Sequence, residues 1–179
     1  MFFRTTVECG ELARALGFDA RPSENKLEKS GIVAESVTIV FADRKVASYA
    51  LARRIVSWLG PFGNCLLWIT EFGIWPSFEN LHLYYRLRSS YNDYRSLAEA
   101  PGHAFLSHEG SDIATFLDLV IQFGWGAFLF GVGSTTHMTI SHDQWILIAS
   151  DSNLDAVVED ADEFSLPYKR LSARRVLDA

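Results

Sequence analysis

Ser36-Val-Thr-Ile-Val-Phe41 and Cys65-Leu-Leu-Trp-Ile69 are the two stretches on which the fold reading turns. In the first, Val37, Ile39 and Phe41 alternate with Ser36, Thr38 and Val40. A strand with one better-buried face has this period of two. The second is short and wholly apolar, which suits a strand covered on both faces. Between them Asp43 is a candidate helix cap. Ala47, Leu51, Ile55 and Trp58 then fall on one stripe at spacings of four, four and three. Gly60-Pro61, with Gly63-Asn64 beyond, stops that helix. Strand, helix, strand in this order reads as a βαβ unit.

Downstream, Pro76-Ser77 opens a second helix, capped by Ser77, that runs to Ser89 or Ser90. The segment Tyr91 to Pro101 reads as irregular, and His103-Ala-Phe-Leu106 as a short strand. A third helix follows, capped by Ser111. Its apolar positions Ile113, Phe116, Leu117 and Val120 follow i, i+3, i+4, i+7, with Asp112, Thr115, Asp118 and Gln122 opposite and Gly124 at its end. Ala127–Val132, His137–Ser141 and Gln144–Ala149 then form an antiparallel three-stranded meander, with His142-Asp143 as a tight connection.

The expectation is therefore an α/β fold. It is a single domain with a mixed sheet, a βαβ start, a C-terminal antiparallel meander and helices packed on the sheet. An α+β arrangement with the meander as its own sheet is the alternative. Residues 1–34 read as an irregular N-terminal segment, with one short helix over Glu11–Gly17. The α/β core spans 35–150. Residues 151–179 read as a charged tail, with docking as a helix the alternative, acidic at Glu159, Asp160, Asp162 and Glu163 and basic at Lys169, Arg170, Arg174 and Arg175.

At 179 residues the chain suits one domain. Hydrophobic residues make up 49% and charged ones 21%, a globular composition. The net charge of −6 argues against nucleic acid as the main partner. Cys9 and Cys65 form no CxxC pair, which argues against a disulfide framework or a cysteine zinc site. The first residues carry no apolar signal segment, and no apolar run approaches the ~18 residues of a membrane span. The expected setting is the cytoplasm, with no membrane partner.

Chemically capable side chains crowd most densely into Glu71–Arg88. Glu79 and His82 share a helix face at E-x-x-H spacing, and Arg86 extends that row at i+7 from Glu79. Arg88 lies among Tyr84 and Tyr85, where an arginine can stack on a ring and pair with an acid. Glu71, at the strand end, is the candidate acid. Trp75 and Tyr85 add broad apolar faces of the type that dominates binding hot spots. The candidate binding residues are thus Glu71, Trp75, Glu79, His82, Tyr85, Arg86 and Arg88. No catalytic set is defined.

The remaining motifs lead elsewhere. His103-Ala-Phe-Leu-Ser-His108 and His137-Met-Thr-Ile-Ser-His142 share an H-x4-H spacing, but residues five apart on a strand point to opposite faces. No metal and no cofactor is expected. Gly131-Val-Gly-Ser-Thr-Thr136 lacks the lysine of a phosphate loop and reads as a hairpin turn. Ser107-His108-Glu109 and Ser141-His142-Asp143 are adjacent in sequence, whereas triads assemble from distant segments. Two functions stay open. One is a binding or interaction module of the immunity or accessory type, with a protein partner or a second copy. The other is an enzyme acting on a small anionic or phosphorylated substrate at the 71–88 cluster.

Overall fold

The computed structural model describes residues 1–30, 35–42, 47–72 and 81–171. Ten strands and five helices follow in the order β1 (Phe2–Arg4), α1 (Thr6–Ala15), β2 (Phe18–Arg21), β3 (Lys26–Lys29), β4 (Glu35–Val40), α2 (Ser48–Trp58), β5 (Asn64–Glu71), α3 (Leu81–Ser90), β6 (Gly102–Leu106), α4 (Gly110–Phe123), β7 (Gly126–Gly131), β8 (Thr136–Ile140), β9 (Trp145–Ser150), α5 (Asp155–Glu163) and β10 (Tyr168–Leu171). Eight strands form one sheet in the order β1-β6-β5-β7-β8-β9-β4-β10, and β2 and β3 pair as a separate hairpin. The result is a single α/β domain in which helices pack on a large sheet, as the patterning anticipates.

The two strands of the expected βαβ unit are both present, joined by α2. They run in the same direction but are not neighbours, because β7, β8 and β9 lie between them. Each pairing among the described strands is antiparallel. The meander is the physical reason. Its strands β7, β8 and β9 are joined by short turns, zip together locally and fill the gap between β5 and β4. The meander therefore belongs to the same sheet rather than to a second one.

The period of two assigns the residues of each central strand to two faces. Val37, Ile39, Cys65, Leu67, Ile69, Ala127, Leu129, Met138, Ile140, Ile146 and Ile148 join one apolar cluster. Onto it α2 brings Leu51, Ala52, Ile55 and Trp58, while α4 brings Ile113, Phe116, Leu117 and Val120. Val157 and Ala161 of α5 and Tyr84 of α3 complete it. On the opposite face Leu66, Trp68, Phe128 and Phe130 meet Cys9 and Ala13 of α1, Phe18 of β2 and Leu27 of β3. The wholly apolar run Cys65–Ile69 is thus covered from both sides. Each such buried side chain contributes roughly 1.5–3 kcal/mol of transfer free energy.

Several local expectations change. Residues 1–30 are regular, not irregular. Phe2–Arg4 is an edge strand of the main sheet. The adjacent helix starts at Thr6 rather than Glu11, held by a capping box in which Thr5 Oγ1 accepts from the Glu8 N–H at 3.3 Å and the Thr5 N–H donates to Glu8 at 2.7 Å. The charged segment after Ser150 docks as a helix, α5, against the core, and then adds what the patterning did not anticipate, β10, an edge strand along β4. Arg170 anchors that edge by hydrogen bonds to Glu35 and to Asp155, the latter at 2.7 Å. Ser111 does not cap α4. It lies inside the first turn, and Glu109 occupies the cap position without a side-chain bond to the helix. Gly124 closes the helix in the left-handed conformation, φ 62°, where a side chain would be strained. Asp43 does not cap α2, which starts at Ser48 with Ala47 in the cap position and no side-chain cap bond; Ser77, the remaining expected cap, lies outside the described residues.

Candidate functional site

Strand β5 delivers Glu71 at its C-terminal end, past a register shift against β7 between Ile69 and Glu71. Such irregularities re-aim a side chain at the rim of a sheet. Opposite Glu71 stands Gly126, where a β-carbon would lie 2.6 Å from Glu71 Oε2. Glycine at 126 is what leaves room for the carboxylate. The carboxylate meets His142 from the β8–β9 turn, with Nδ1 at 2.8 Å from Oε2. A carboxylate accepts, so Nδ1 donates, while Nε2 lies 3.4 Å from Asp143 Oδ1. The turn is held by the Asp143 N–H donating to Ser141 Oγ at 3.1 Å and by Gln144 at φ 63°. Glu71 and His142 are each about a quarter exposed, at 24% and 25%.

Helix α3 sorts its residues by the 3.6 period. Tyr84 and Arg88 point inward and are fully buried. His82 and Arg86 lie at the middle of the outer face, flanked by Leu83 at 47% exposure and Tyr85 at 38%. Among the sequence-derived candidates, the described part of the helix therefore brings His82, Tyr85 and Arg86 to one surface. Trp75 and Glu79 lie outside the described residues.

Arg88 departs from the expectation, and so does its pairing with Glu71. Its Nη2 donates to Asp93 at 2.9 Å, and its Nη1 to Tyr84 OH at 2.8 Å and to the Ala100 carbonyl at 3.0 Å. The guanidinium carbon lies 4.2 Å from the centre of the Phe3 ring. The network continues inward. His103 Nδ1 is 3.0 Å from the Pro101 carbonyl, and its Nε2 is 3.0 Å from Tyr84 OH. A carbonyl can only accept, so Nδ1 carries the proton. Tyr84 OH therefore donates to Nε2 while accepting from Arg88. Burial, reinforced by the Arg88 charge, pushes the His103 imidazole down to about 3, so it stays neutral. Burial likewise raises the Tyr84 phenol, against the opposing pull of Arg88. Arg88 thus holds the core end of α3 and presents no charge to a ligand. Breaking such a buried pair strands its partner in a medium where an unpaired charge is costly.

His103 lies in the first-face core and His137 on the second face, its ring 5.1 Å from that of Phe18. Burial, with the nearby Lys29 charge, lowers His137 to about 4. Its Nδ1 is buried without a hydrogen-bond partner. Among the described residues no group of three or more His, Cys, Asp or Glu side chains is placed to hold a metal ion. Cys65 is buried, and burial pushes its thiol up, which leaves it inert.

Sequence reasoning missed the Glu71–His142 contact. The two residues stand 71 positions apart, and no local pattern links a strand end to a distant turn. The apolar-polar switch at Glu71 and the turn chemistry at His142-Asp143 mark each as solvent-facing, and only the β5-β7-β8 pairing brings them together. Comparison with protein-family models, with curated proteins and with solved structures finds no match for this chain.

Proposed function

We propose that the chain is a small binding module that meets a protein partner through the outer face of α3. The observation that carries this reading is the way α3 divides its residues. The helix buries Arg88 with its own acid and leaves Leu83 and Tyr85 exposed on either side of His82 and Arg86. Large apolar groups beside an arginine are the composition of interface centres, where a few such residues carry most of the binding energy. Arg86 is locally cationic on a chain of net charge −6. The complementary surface is therefore an acidic one with an apolar recess, which also speeds encounter. A second copy of this chain presents no such acid-rich apolar recess in the described part of α3, so a heterologous partner fits better than a homodimer. No helix among the described residues is long and apolar enough to cross a membrane, in keeping with a partner that is not a lipid bilayer.

The test places a photo-crosslinking residue at Tyr85 of the full chain in its native cells, with Glu11 on the exposed side of α1 as control. The expected result is one discrete adduct from position 85 and none from position 11. The adduct should vanish when Leu83→Asp and Arg86→Glu are combined with the crosslinker. Equal labelling at both positions, or none at 85, overturns the reading.

The second reading is an enzyme for a small anionic substrate, and the Glu71–His142 hydrogen bond is the observation that favours it. A carboxylate that fixes the angle of an imidazole, here one about a quarter exposed, is how a general base is oriented. With Arg88 enclosed, that chemistry rests on Glu71 and His142 rather than on two arginines. Hydrolysis of p-nitrophenyl phosphate by the purified chain, abolished in His142→Ala, is the expected outcome under this reading. Turnover unchanged in that variant removes it.

A further inference from the structure

The β2–β3 hairpin stands off the second face of the sheet and borders an open cleft of about 430 Å³ against β4, β8 and β9. That volume falls within the roughly 300–1,000 Å³ of small-molecule sites. His137 forms part of the inner wall, with Ser36 on the sheet side and Ser30 on the hairpin side. Leu27, Leu147 and Ala149 supply an apolar patch between them.

The charges around the cavity are already matched. Asp19 and Glu28 both pair with Arg21, each at 2.9 Å. Lys29 pairs with Asp151 at 2.9 Å. An anion would have to draw Lys29 from Asp151 and approach two carboxylates. A cation would have to draw those carboxylates from Arg21. An uncharged molecule meets neither penalty. What the wall leaves over is hydrogen-bonding capacity: two serine hydroxyls, and a neutral imidazole, 4% exposed, whose Nδ1 is sealed from solvent without a partner in this ring orientation. A buried polar atom left unpartnered is uncommon and calls for an explanation. A half-turn of the ring changes which edge meets the cavity, and ring orientation is set by the hydrogen bonds on offer. A hydroxyl both donates and accepts, so it satisfies either tautomer of the imidazole and either serine.

We propose that this cavity takes a small uncharged polyhydroxylated molecule, its hydroxyls on His137, Ser30 and Ser36 and its carbon-bound face on Leu27, Leu147 and Ala149. The site is independent of α3 and of the Glu71–His142 pair.

The experiment follows the histidine ring resonances of the full chain by NMR during titration with D-ribose, D-glucose and myo-inositol, with butyrate as the charged probe. The expected result is a saturable shift of the His137 signals with at least one of the three uncharged probes. Its dissociation constant should be millimolar, the weak range open to a ligand of so few atoms. The shift should be lost in Ala149→Leu, which fills the cavity. Ser36→Val tests the same wall with a smaller change and guards against misfolding of the first variant, each fold being checked by circular dichroism. A shift with butyrate alone overturns the uncharged class. No saturable shift with any uncharged probe, or one that survives both folded variants, overturns the site.

Discussion

The two faces of the sheet are built unequally. On the first, side chains from Phe3 of β1 to Val37 and Ile39 of β4 join one continuous core under α2, α4 and α5. On the second, the sealed apolar side chains of the sheet among the described residues are Leu66, Trp68, Phe128 and Phe130 of β5 and β7, under α1 and one short hairpin, with His137 and Thr139 of β8 buried beside them. Beyond the hairpin Leu147 and Thr38 are only half-buried, and Val40 is exposed. The first face has the extent to carry most of the stability. The second is a smaller, looser contact with room beside it. Each face also holds one buried histidine, His103 with both nitrogens bonded and His137 with Nδ1 unpartnered.

Truncating one phenylalanine on each face tests the inequality most directly. Phe116→Ala in the first-face core should cost about 3–5 kcal/mol, because four aromatic neighbours (Phe3, Tyr84, His103 and Phe105) hold the cavity open. Phe130→Ala on the second face should cost about 3 kcal/mol, at the low end of the same range, because α1 and the hairpin can settle into the gap. Urea denaturation of both variants gives the comparison, and a larger loss for Phe130→Ala would reverse it.

The histidines sharpen the contrast. His103→Phe removes the acceptor of Tyr84 OH and should cost about 1–3 kcal/mol through that stranded hydroxyl. His137→Phe gives up no hydrogen bond at Nδ1 and keeps an aromatic ring beside Phe18, so its cost should stay below about 1.5 kcal/mol. Equal losses for the two in the same denaturation series would show that the bonded and unbonded rings do not differ.

Acid dependence separates the same pair. Both imidazoles are lowered in the folded chain, to about 3 at His103 and about 4 at His137. In the unfolded chain each takes up its proton near 6.5. Their contribution is therefore fully present above pH 6.5 and is lost as pH falls toward the folded values. The slope is at most about 1.4 kcal/mol per pH unit for each ring. Glu35, held low first by its hydrogen bond from Arg170, adds to the same trend only below about pH 4.5. Between pH 6.5 and 4.5 the stability of His137→Phe should fall with about half the wild-type slope. An unchanged slope would mean that His137 is protonated in the fold.

The smallest effect belongs to the outer face of α3. Tyr85→Ala should leave the denaturation midpoint within about 0.5 kcal/mol of wild type, since the ring is 38% exposed. A loss of several times that size would place Tyr85 in the framework rather than at an interface.

Much of the first face was legible in the sequence because it is built from local periodicity. The i, i+3, i+4, i+7 stripe of α4, the Leu51–Ile55–Trp58 stripe of α2 and the three meander strands each announce themselves within a dozen residues. The second face was not, although Thr5-Thr-Val-Glu8 carries the spacing of a capping box and would have moved the start of α1. What covers that face is α1 and a hairpin whose apolar residues, Phe18 and Leu27, are spaced too far apart to show a period. For the candidate site, the exposure of His82, Tyr85 and Arg86 follows from their helical phase, and so does the inward aim of Arg88 beside Tyr84. Helical phase alone could not tell that Asp93 would be waiting for Arg88, or that Glu71 would meet His142. Those contacts depend on turns and register, which leave no periodic trace.

The strand order has a consequence for the chain as it is made. Strand β4 finds its neighbour only when β9 exists, with Val40 opposite Trp145. Its other neighbour, β10, comes later still. At translation speeds of roughly 5–20 residues per second, the roughly one hundred intervening residues take about 5–20 s to appear. For that interval the nascent chain displays a strand of alternating Val37, Ile39 and Phe41 with neither edge paired. Such segments recruit chaperones or one another. Slow codons or a pause ahead of Trp145 should therefore depress the yield of folded protein more than the same pause placed after β9.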